Sequence, residues 1–315
     1  MYRIGIDLGG INVACGLVTD GEKIILKKSR PTWSKGKKAT DVASVMCETA
    51  LDLIKDAGLT EDDISLIGIG IPGAVDRNRG LVIRTANVPL DGFDLAGFFK
   101  QYTKIPIKLD NDANCAALGE ALVGAGRGKS SSLTFTLGTG VGGGIIIDGK
   151  IYSGFNHAGG EVGHMVTHVG GRKCGCGRRG CFEAYASATA IIHDAKNAAK
   201  KHPETKMIEL AGGDINRISG RTVFDAKDLG DVTAIGVVNN YIKELSEGIA
   251  NYINIFQPET IILGGGISNQ KEKLLVPLRK AVFEKTYGAN LLPRTEIVCA
   301  TLGNDAGIIG AALLG

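Results

Sequence analysis

LTFTLGTGVGGGIIIDGKIYSG, Leu133–Gly154, reads as strand, glycine turn, strand, Asp-Gly turn and strand. Its centre, GTGVGG at Gly138–Gly143, has the spacing G-x-G-x-x-G. That spacing marks a dinucleotide site only where it opens a helix. Here a β-branched run and a second turn follow, so the glycines join two strands and the dinucleotide reading falls. The same order occurs at the start of the chain. YRIGIDLGG (Tyr2–Gly10) is a strand that ends in glycines, and VACGLVTDGEKIILKKS (Val13–Ser29) is a hairpin around Asp20-Gly21. Leu8 to Asp20 spans 12 positions and Leu137 to Asp148 spans 11. Two copies of one topology predict a duplicated α/β fold with a cleft between the halves, and such a cleft is the default ligand site.

Helical periodicity fills the spaces between strands. A helix is expected over Thr40–Ala57, with Gly58 past its end, then a buried strand in ISLIGIGIPG, another in IPIKLD, and a helix from Asp112 to Val123. The second half predicts helices over Phe182–Lys201, Asp231–Phe256 and Lys271–Tyr287. It also predicts strands in ETIILGGGIS and EIVCA and a last helix in GNDAGIIGAALLG. The alternation of strands and helices indicates a sheet covered by helices. RGKSS, Arg127–Ser131, resembles the end of a phosphate-binding P-loop, but the first glycine of that motif would fall on Val123 and a strand follows.

A chain of 315 residues predicts two domains. With 44% apolar and 22% charged residues the composition is that of a globular protein, and a net charge of +3 gives no argument for nucleic acid. MYRIGIDLGG lacks the pattern of a signal peptide, and no apolar run reaches the ~18 residues of a membrane span, so a cytoplasmic location with no membrane partner is expected. Thiols there stay reduced. Cys15, Cys47, Cys115 and Cys299 stand among apolar neighbours and read as small buried residues. The other three cysteines crowd into HMVTHVGGRKCGCGRRGC, His164–Cys181. Cys174, Cys176 and Cys181 with one imidazole make a Cys3His set suited to structural zinc. Spacing leaves the fourth ligand open between His164 and His168. His157, His193 and His202 read as loop or helix-surface residues.

Glycines gather after strands, at Gly9-Gly10, Gly138–Gly144 and Gly264–Gly266, where bare backbone amides can approach a phosphate. Together with LDNDANCAALGE (Leu109–Glu120), HAGGEVGH (His157–His164) and CGCGRRGCFE (Cys174–Glu183), these loops resemble the actin-like sugar kinases, and within them the ROK family, over essentially the whole chain. The resemblance is strongest to the bacterial glucokinases of that family. It implies a duplicated ribonuclease-H-like fold with two domains flanking a cleft. A small α/β domain would comprise residues 1–110 with the helix of 303–315 packed on it, and a large α/β domain with the zinc loop residues 111–302. It implies an ATP-dependent kinase acting on the 6-hydroxyl of glucose. The alternatives are another sugar (N-acetylmannosamine, N-acetylglucosamine, fructose or allose) or a non-catalytic sugar-sensing regulator. For the regulator a DNA-binding segment would be needed, and none precedes Met1.

Residue by residue, the resemblance makes Asp112 the catalytic base and Asn87, Asn111, Asp112, Glu161, His164 and Glu183 the sugar-facing group. Asp7 matches the residue that helps hold Mg2+. Gly9, Gly10, Thr139 and Gly140 match the loops around the ATP phosphates, and Gly265 and Gly266 the nucleotide side. His164, Cys174, Cys176 and Cys181 match the structural zinc site, and a homodimer or homotetramer is implied. The first loop departs from the family pattern D-x-G-G-T-K, since Ile11 and Asn12 stand in place of its hydroxyl and cation. A carboxylate at Asp112 suits the reaction because a sugar hydroxyl is a poor nucleophile until its proton is taken. The competing role for Asn111 or Asp112 is plain helix capping. Because the phosphate loops lie far from the cysteines in sequence, loss of the metal is expected to disturb sugar binding more than ATP binding.

Overall fold

The computed structural model describes residues 1–20, 22–32, 36–85 and 87–315. Of the Asp20-Gly21 turn, Gly21 lies outside the described residues. In chain order the strands and helices are β1 (Tyr2–Leu8), β2 (Asn12–Thr19), β3 (Ile24–Pro31), α1 (Ala39–Asp56), β4 (Ile64–Ile71), β5 (Gly73–Asp76), β6 (Leu81–Thr85) and β7 (Phe93–Asp94). There follow α2 (Leu95–Phe99), β8 (Ile107–Asn111), α3 (Asp112–Leu122), β9 (Ser132–Leu137), β10 (Val141–Ile147) and β11 (Lys150–Tyr152). The remainder are α4 (Glu183–Ala186), α5 (Ala188–Lys201), α6 (Lys206–Leu210), α7 (Gly220–Asp228), α8 (Val232–Phe256), β12 (Thr260–Gly264), α9 (Glu272–Phe283), β13 (Glu296–Cys299) and α10 (Ala306–Ala312).

The duplication is visible in the sheets. One has the order β3-β2-β1-β4-β8 and the other β11-β10-β9-β12-β13. In the first, β1 pairs antiparallel with β2 and parallel with β4, and β4 pairs parallel with β8. In the second, β10 and β11 are antiparallel, while β9, β12 and β13 run parallel. A third, three-stranded sheet of β5, β6 and β7 was not anticipated from the sequence. The chain forms two compact units: Met1–Ser131 with Gly144–Gly160 and Thr301–Gly315, and Ser132–Gly143 with Glu161–Ala300.

In the first unit the core is the buried face of β1, β2 and β4 (Ile4, Ile6, Leu17, Ile67 and Ile69) against Val42, Met46 and Leu53 of α1. α10 covers the opposite face, and small residues let it come close. A Cβ on Gly5 would strike the Ile308 carbonyl, and one on Gly68 the Ala311 carbonyl. α3 and α10 interlock in the same way, Gly119 against Ala306 and Gly310 against Cys115. Glu120 locks this pair: its carboxylate, 1% exposed, accepts the backbone N–H groups of Ala125, Thr301 and Leu302. In the second unit Phe135 meets Phe182 and Tyr252 edge-on, and Gly248 of α8 leaves room for the Phe182 ring.

Two of the expected helices are corrected. Phe182–Lys201 is not one helix: Ser187 is extended and its hydroxyl accepts the Ala190 N–H, so it ends α4 and caps α5. The helix expected to reach Tyr287 stops at Phe283. Among the described residues no helix is long and apolar enough to cross a membrane.

Candidate active site

In each unit the chemistry gathers at the carboxyl ends of the parallel strands, where open α/β sheets place their ligands. In the first unit Asp7 on β1 lies opposite Gly70 on β4, and Gly70 opposite Asp110 on β8. The turn after β1 closes through Gly9, whose N–H donates to the Asn12 carbonyl at 2.8 Å. A Cβ on Gly10 would lie 3.6 Å from Cβ of Asn87, which brings Asn87 to this turn. Ile11 in the same turn is exposed.

Asp7, Asp110 and Asp112 all act on the buried Cys115 thiol and help drive its pKa far up, burial being the larger cause. Three carboxylates therefore share this edge. Asp110 has a cation, Arg77. Among the described residues no cation offsets the burial of Asp7, and that burial raises its pKa. A half-buried carboxylate without a counter-charge suits a divalent cation, and Asp7 is the residue that could hold one.

Asp112 is the first residue of α3, and the Ala113 N–H donates to its carboxylate at 2.9 Å. Asn111 is the helix cap. Its side-chain oxygen accepts the Ala113 and Asn114 N–H groups, and its Nδ2 donates to the Gly73 carbonyl at 3.0 Å. The capping task thus falls to Asn111, and Asp112 stays at the helix mouth.

In the second unit two glycine turns lie side by side, because Gly264 on β12 is opposite Thr136 on β9. Gly265 has φ +83° and sits against the backbone of Leu137, a place closed to any side chain. Gly266 is open. The turn after β9 is held from outside. The Gly138 carbonyl accepts the Ala188 N–H, the Thr139 carbonyl accepts the Thr189 hydroxyl, and the Val141 N–H donates to Glu183 Oε2. A Cβ on Gly140 would overlap that carboxylate. Thr189 was not singled out from the sequence, where nothing sets it apart from other N-terminal helix residues.

His164, Cys174, Cys176 and Cys181 present ligand atoms that all lie within 4.8 Å of one another. Cys174 Sγ is 3.7 Å from His164 Nδ1, and Cys176 Sγ is 3.7 Å from Cys181 Sγ. Tetrahedral zinc with ~2.3 Å bonds to sulfur spaces its ligands by about that much, whereas a disulfide needs ~2 Å. All seven cysteines are free. Burial pushes the Cys174 thiol up to about 12, while the Arg178 N–H draws the Cys176 thiol down. Gly180, at φ +81° against the His168 carbonyl, allows the loop to close. His168 is not in the cluster: it stacks on Tyr185 and faces Glu244.

Glu183 links this cluster to the glycine turn. Cys174 Sγ lies 3.5 Å from its Oε1 while its Oε2 holds the Val141 N–H. Distance in sequence therefore misleads about the independence of the cysteine loop and the glycine turn after β9. Glu161 is an exposed carboxylate at the start of the turn that carries His164. His157, read from the sequence as a loop or helix-surface residue, lies in a loop, half-buried, and pairs with the Ser153 hydroxyl. Cys299 is only half-buried, with its thiol on the Ser268 carbonyl. A cavity of 420 Å³ borders the turn and is lined by Thr139, Lys173, Cys174, Glu183, Thr189 and His193. Another cavity, of 610 Å³, near Phe283 and Leu292, adjoins the start of β13.

Comparison with known proteins agrees with this layout. The model of the ROK family matches residues 3–315. The glucokinase of Thermotoga maritima is 38% identical over 310 residues, 98% of this chain and 95% of that protein. A ROK family glucokinase from Streptomyces griseus, solved in complex with glucose and AMPPNP, is 32% identical with a TM-score of 0.81, covering 100% of this chain and 99% of that one. The ROK hexokinase of Thermus thermophilus is 33% identical with a TM-score of 0.83, covering 99% and 97%.

Proposed function

This chain belongs to the ROK family, and from that premise we propose that it transfers the γ-phosphoryl group of ATP to the 6-hydroxyl of a hexose, with glucose the preferred substrate. The observation that carries the reading is Asp112. A carboxylate stands at the first position of a helix, at the carboxyl edge of three parallel strands, in the unit that holds the Gly9-Gly10 turn. The S. griseus relative, bound to glucose and a nucleotide, supports the choice of substrates.

In the reaction the hydroxyl oxygen forms a bond to the γ-phosphorus as the bond to the β,γ-bridging oxygen breaks. Asp112 takes the hydroxyl proton, and ADP and a hexose 6-phosphate leave. The helix amide that donates to Asp112 favours its ionised state, the one a base needs. The turns at Gly9-Gly10, Thr139-Gly140 and Gly265-Gly266 suit the approach of the nucleotide phosphates. Asp7 would hold Mg2+, which neutralises phosphate charge. Asn87, Asn111, Glu161, His164 and Glu183 would face the sugar. Asn111 has a second Nδ2 hydrogen to give after the one on Gly73.

The Cys3His group fits zinc, and four protein ligands leave no open position, so the ion would be structural. His164 would ligate through Nδ1, which lies 3.7 Å from Cys174 Sγ, and would leave Nε2 for the sugar. Free thiols suit the cytoplasm. Exposed Leu229 and Val232 beside the start of α8 suit contact with a second copy, in a homodimer or homotetramer.

Coupled ADP release across a panel of hexoses and N-acetylated amino sugars tests the reading. Glucose should give the highest kcat/KM. Release with none of the sugars would overturn the kinase, and a higher kcat/KM for an amino sugar would replace the substrate.

A further inference from the structure

Asp110 stands two residues before Asp112 and is buried within the first unit. It is 1% exposed, and burial pushes its pKa up against the pull of Arg77. A buried ion pair is a poor source of stability, because desolvation offsets the attraction. What this one does is grip a junction. Oδ1 accepts the Asn111 N–H at 2.7 Å and the Asn114 Nδ2 at 2.9 Å, one bond on each side of Asp112. Oδ2 meets the Arg77 guanidinium.

Arg77 lies in the turn between β5 and β6 and reaches a second element. Its Nη1 donates to Ser153 Oγ at 3.2 Å, and Ser153 pairs with His157 Nδ1 at 3.3 Å. Gly160, seven residues on, comes near Asn114: a Cβ on it would lie in ordinary contact, 3.6 Å from Asn114 Oδ1. Asn114 is itself 4% exposed and bonded to Asp110. Ser153 is thus tied through Arg77 to the Asp110 carboxylate, and that carboxylate grips the β8–α3 junction.

We propose that Asp110 and Arg77 are positioning residues for the base: the pair fixes the junction that presents Asp112 and carries that hold to Ser153. The inference rests on the kinase reading and on Asp112 as its base. Neither residue touches substrate. Their contribution is to keep Asp112 in a productive position, where a displacement of ~1 Å costs roughly a hundredfold in rate.

The test compares Asp110→Asn, Arg77→Met, Arg77→Lys and the double variant Asp110→Asn with Arg77→Met, with Asp112→Asn as the control. Steady-state kinetics and melting temperature are read for each. Both neutral single variants should lose roughly tenfold or more in kcat, with KM for hexose and for ATP little changed. Arg77→Lys should recover part of the loss. The double variant leaves no unpaired buried charge, so its melting temperature should return toward wild type while kcat stays low. A wild-type kcat in the single variants would overturn the proposal. So would a double variant in which kcat recovers along with stability, since the pair would then be merely structural. If Asp112→Asn itself retains turnover, the base assignment falls, and the present proposal falls with it.

Discussion

Glu120→Gln separates what holds the first unit together from what reacts in it. The buried Glu120 carboxylate receives the Thr301 and Leu302 N–H groups on Oε1 at 3.0 and 2.7 Å. On Oε2 it receives the Ala125 N–H at 3.0 Å. An amide offers one acceptor oxygen. Its best orientation keeps Thr301 and Leu302 and turns an NH2 group toward the Ala125 N–H. That lost bond leaves a buried donor unsatisfied, at about 1–3 kcal/mol. The two bonds kept fall from charge-assisted to neutral, at about 1 kcal/mol each. The sum is about 3–5 kcal/mol, which for a chain of this size lowers Tm by roughly 10 °C. Thermal unfolding followed by circular dichroism reads the shift. Glu120 lies about two helical turns from Asp112, so kcat measured well below the melting point should be unchanged. A Tm within about 2 °C of wild type would refute the account of α3 anchored through this carboxylate.

Asp7→Asn should stabilise the protein and impair the enzyme. Burial raises the Asp7 pKa, so its ionised form costs folding stability. That cost is absent below the ordinary value of 3.8 and complete above the raised value in the folded state. The variant should therefore melt higher than wild type at neutral pH, but not below 3.8, and lose roughly tenfold or more in turnover with Mg2+ and ATP. The wild type should carry stoichiometric zinc by atomic absorption, and Cys176→Ser should lose it. Because Glu183 touches both Cys174 and the Val141 amide, KM should rise for hexose and for ATP. A rise for hexose alone would contradict that link. Thr189→Val removes the bond to the Thr139 carbonyl, worth about 1 kcal/mol, and should raise KM for ATP about fivefold while leaving the hexose titration in place.

What could be read in the sequence was local. Strand, glycine turn, strand is written in consecutive residues, so both copies of the duplicated sheet were legible in Tyr2–Ser29 and Leu133–Gly154. The helix Thr40–Ala57 was legible for the same reason. Its apolar spacing and the glycine past its end are properties of one segment. Phe182–Lys201 shows the limit, because its alanine-rich periodicity outweighs the single Ser187 that splits it. In the chain the hydroxyl of that serine finds the Ala190 N–H, and a cap replaces a turn of helix.

The candidate site was legible in its members and illegible in its bonds. The cysteine spacing points to a ligand group, but His164 and His168 are equivalent on paper. Only packing decides between them, by seating His168 on Tyr185 and Glu244. DNDAN directs attention to Asn111 and Asp112, whose types suit a sugar and a proton. Asp110 has the same side chain as Asp112 and an opposite fate, since it lies buried near the end of β8, where Arg77 meets it, while Asp112 opens α3. No pattern within DNDAN announces a partner 33 positions earlier in a turn between two short strands that the sequence did not reveal. The pair exists because the fold brings a desolvated carboxylate and a guanidinium together. A residue whose role is set by such a partner becomes visible only when the partner's position is known.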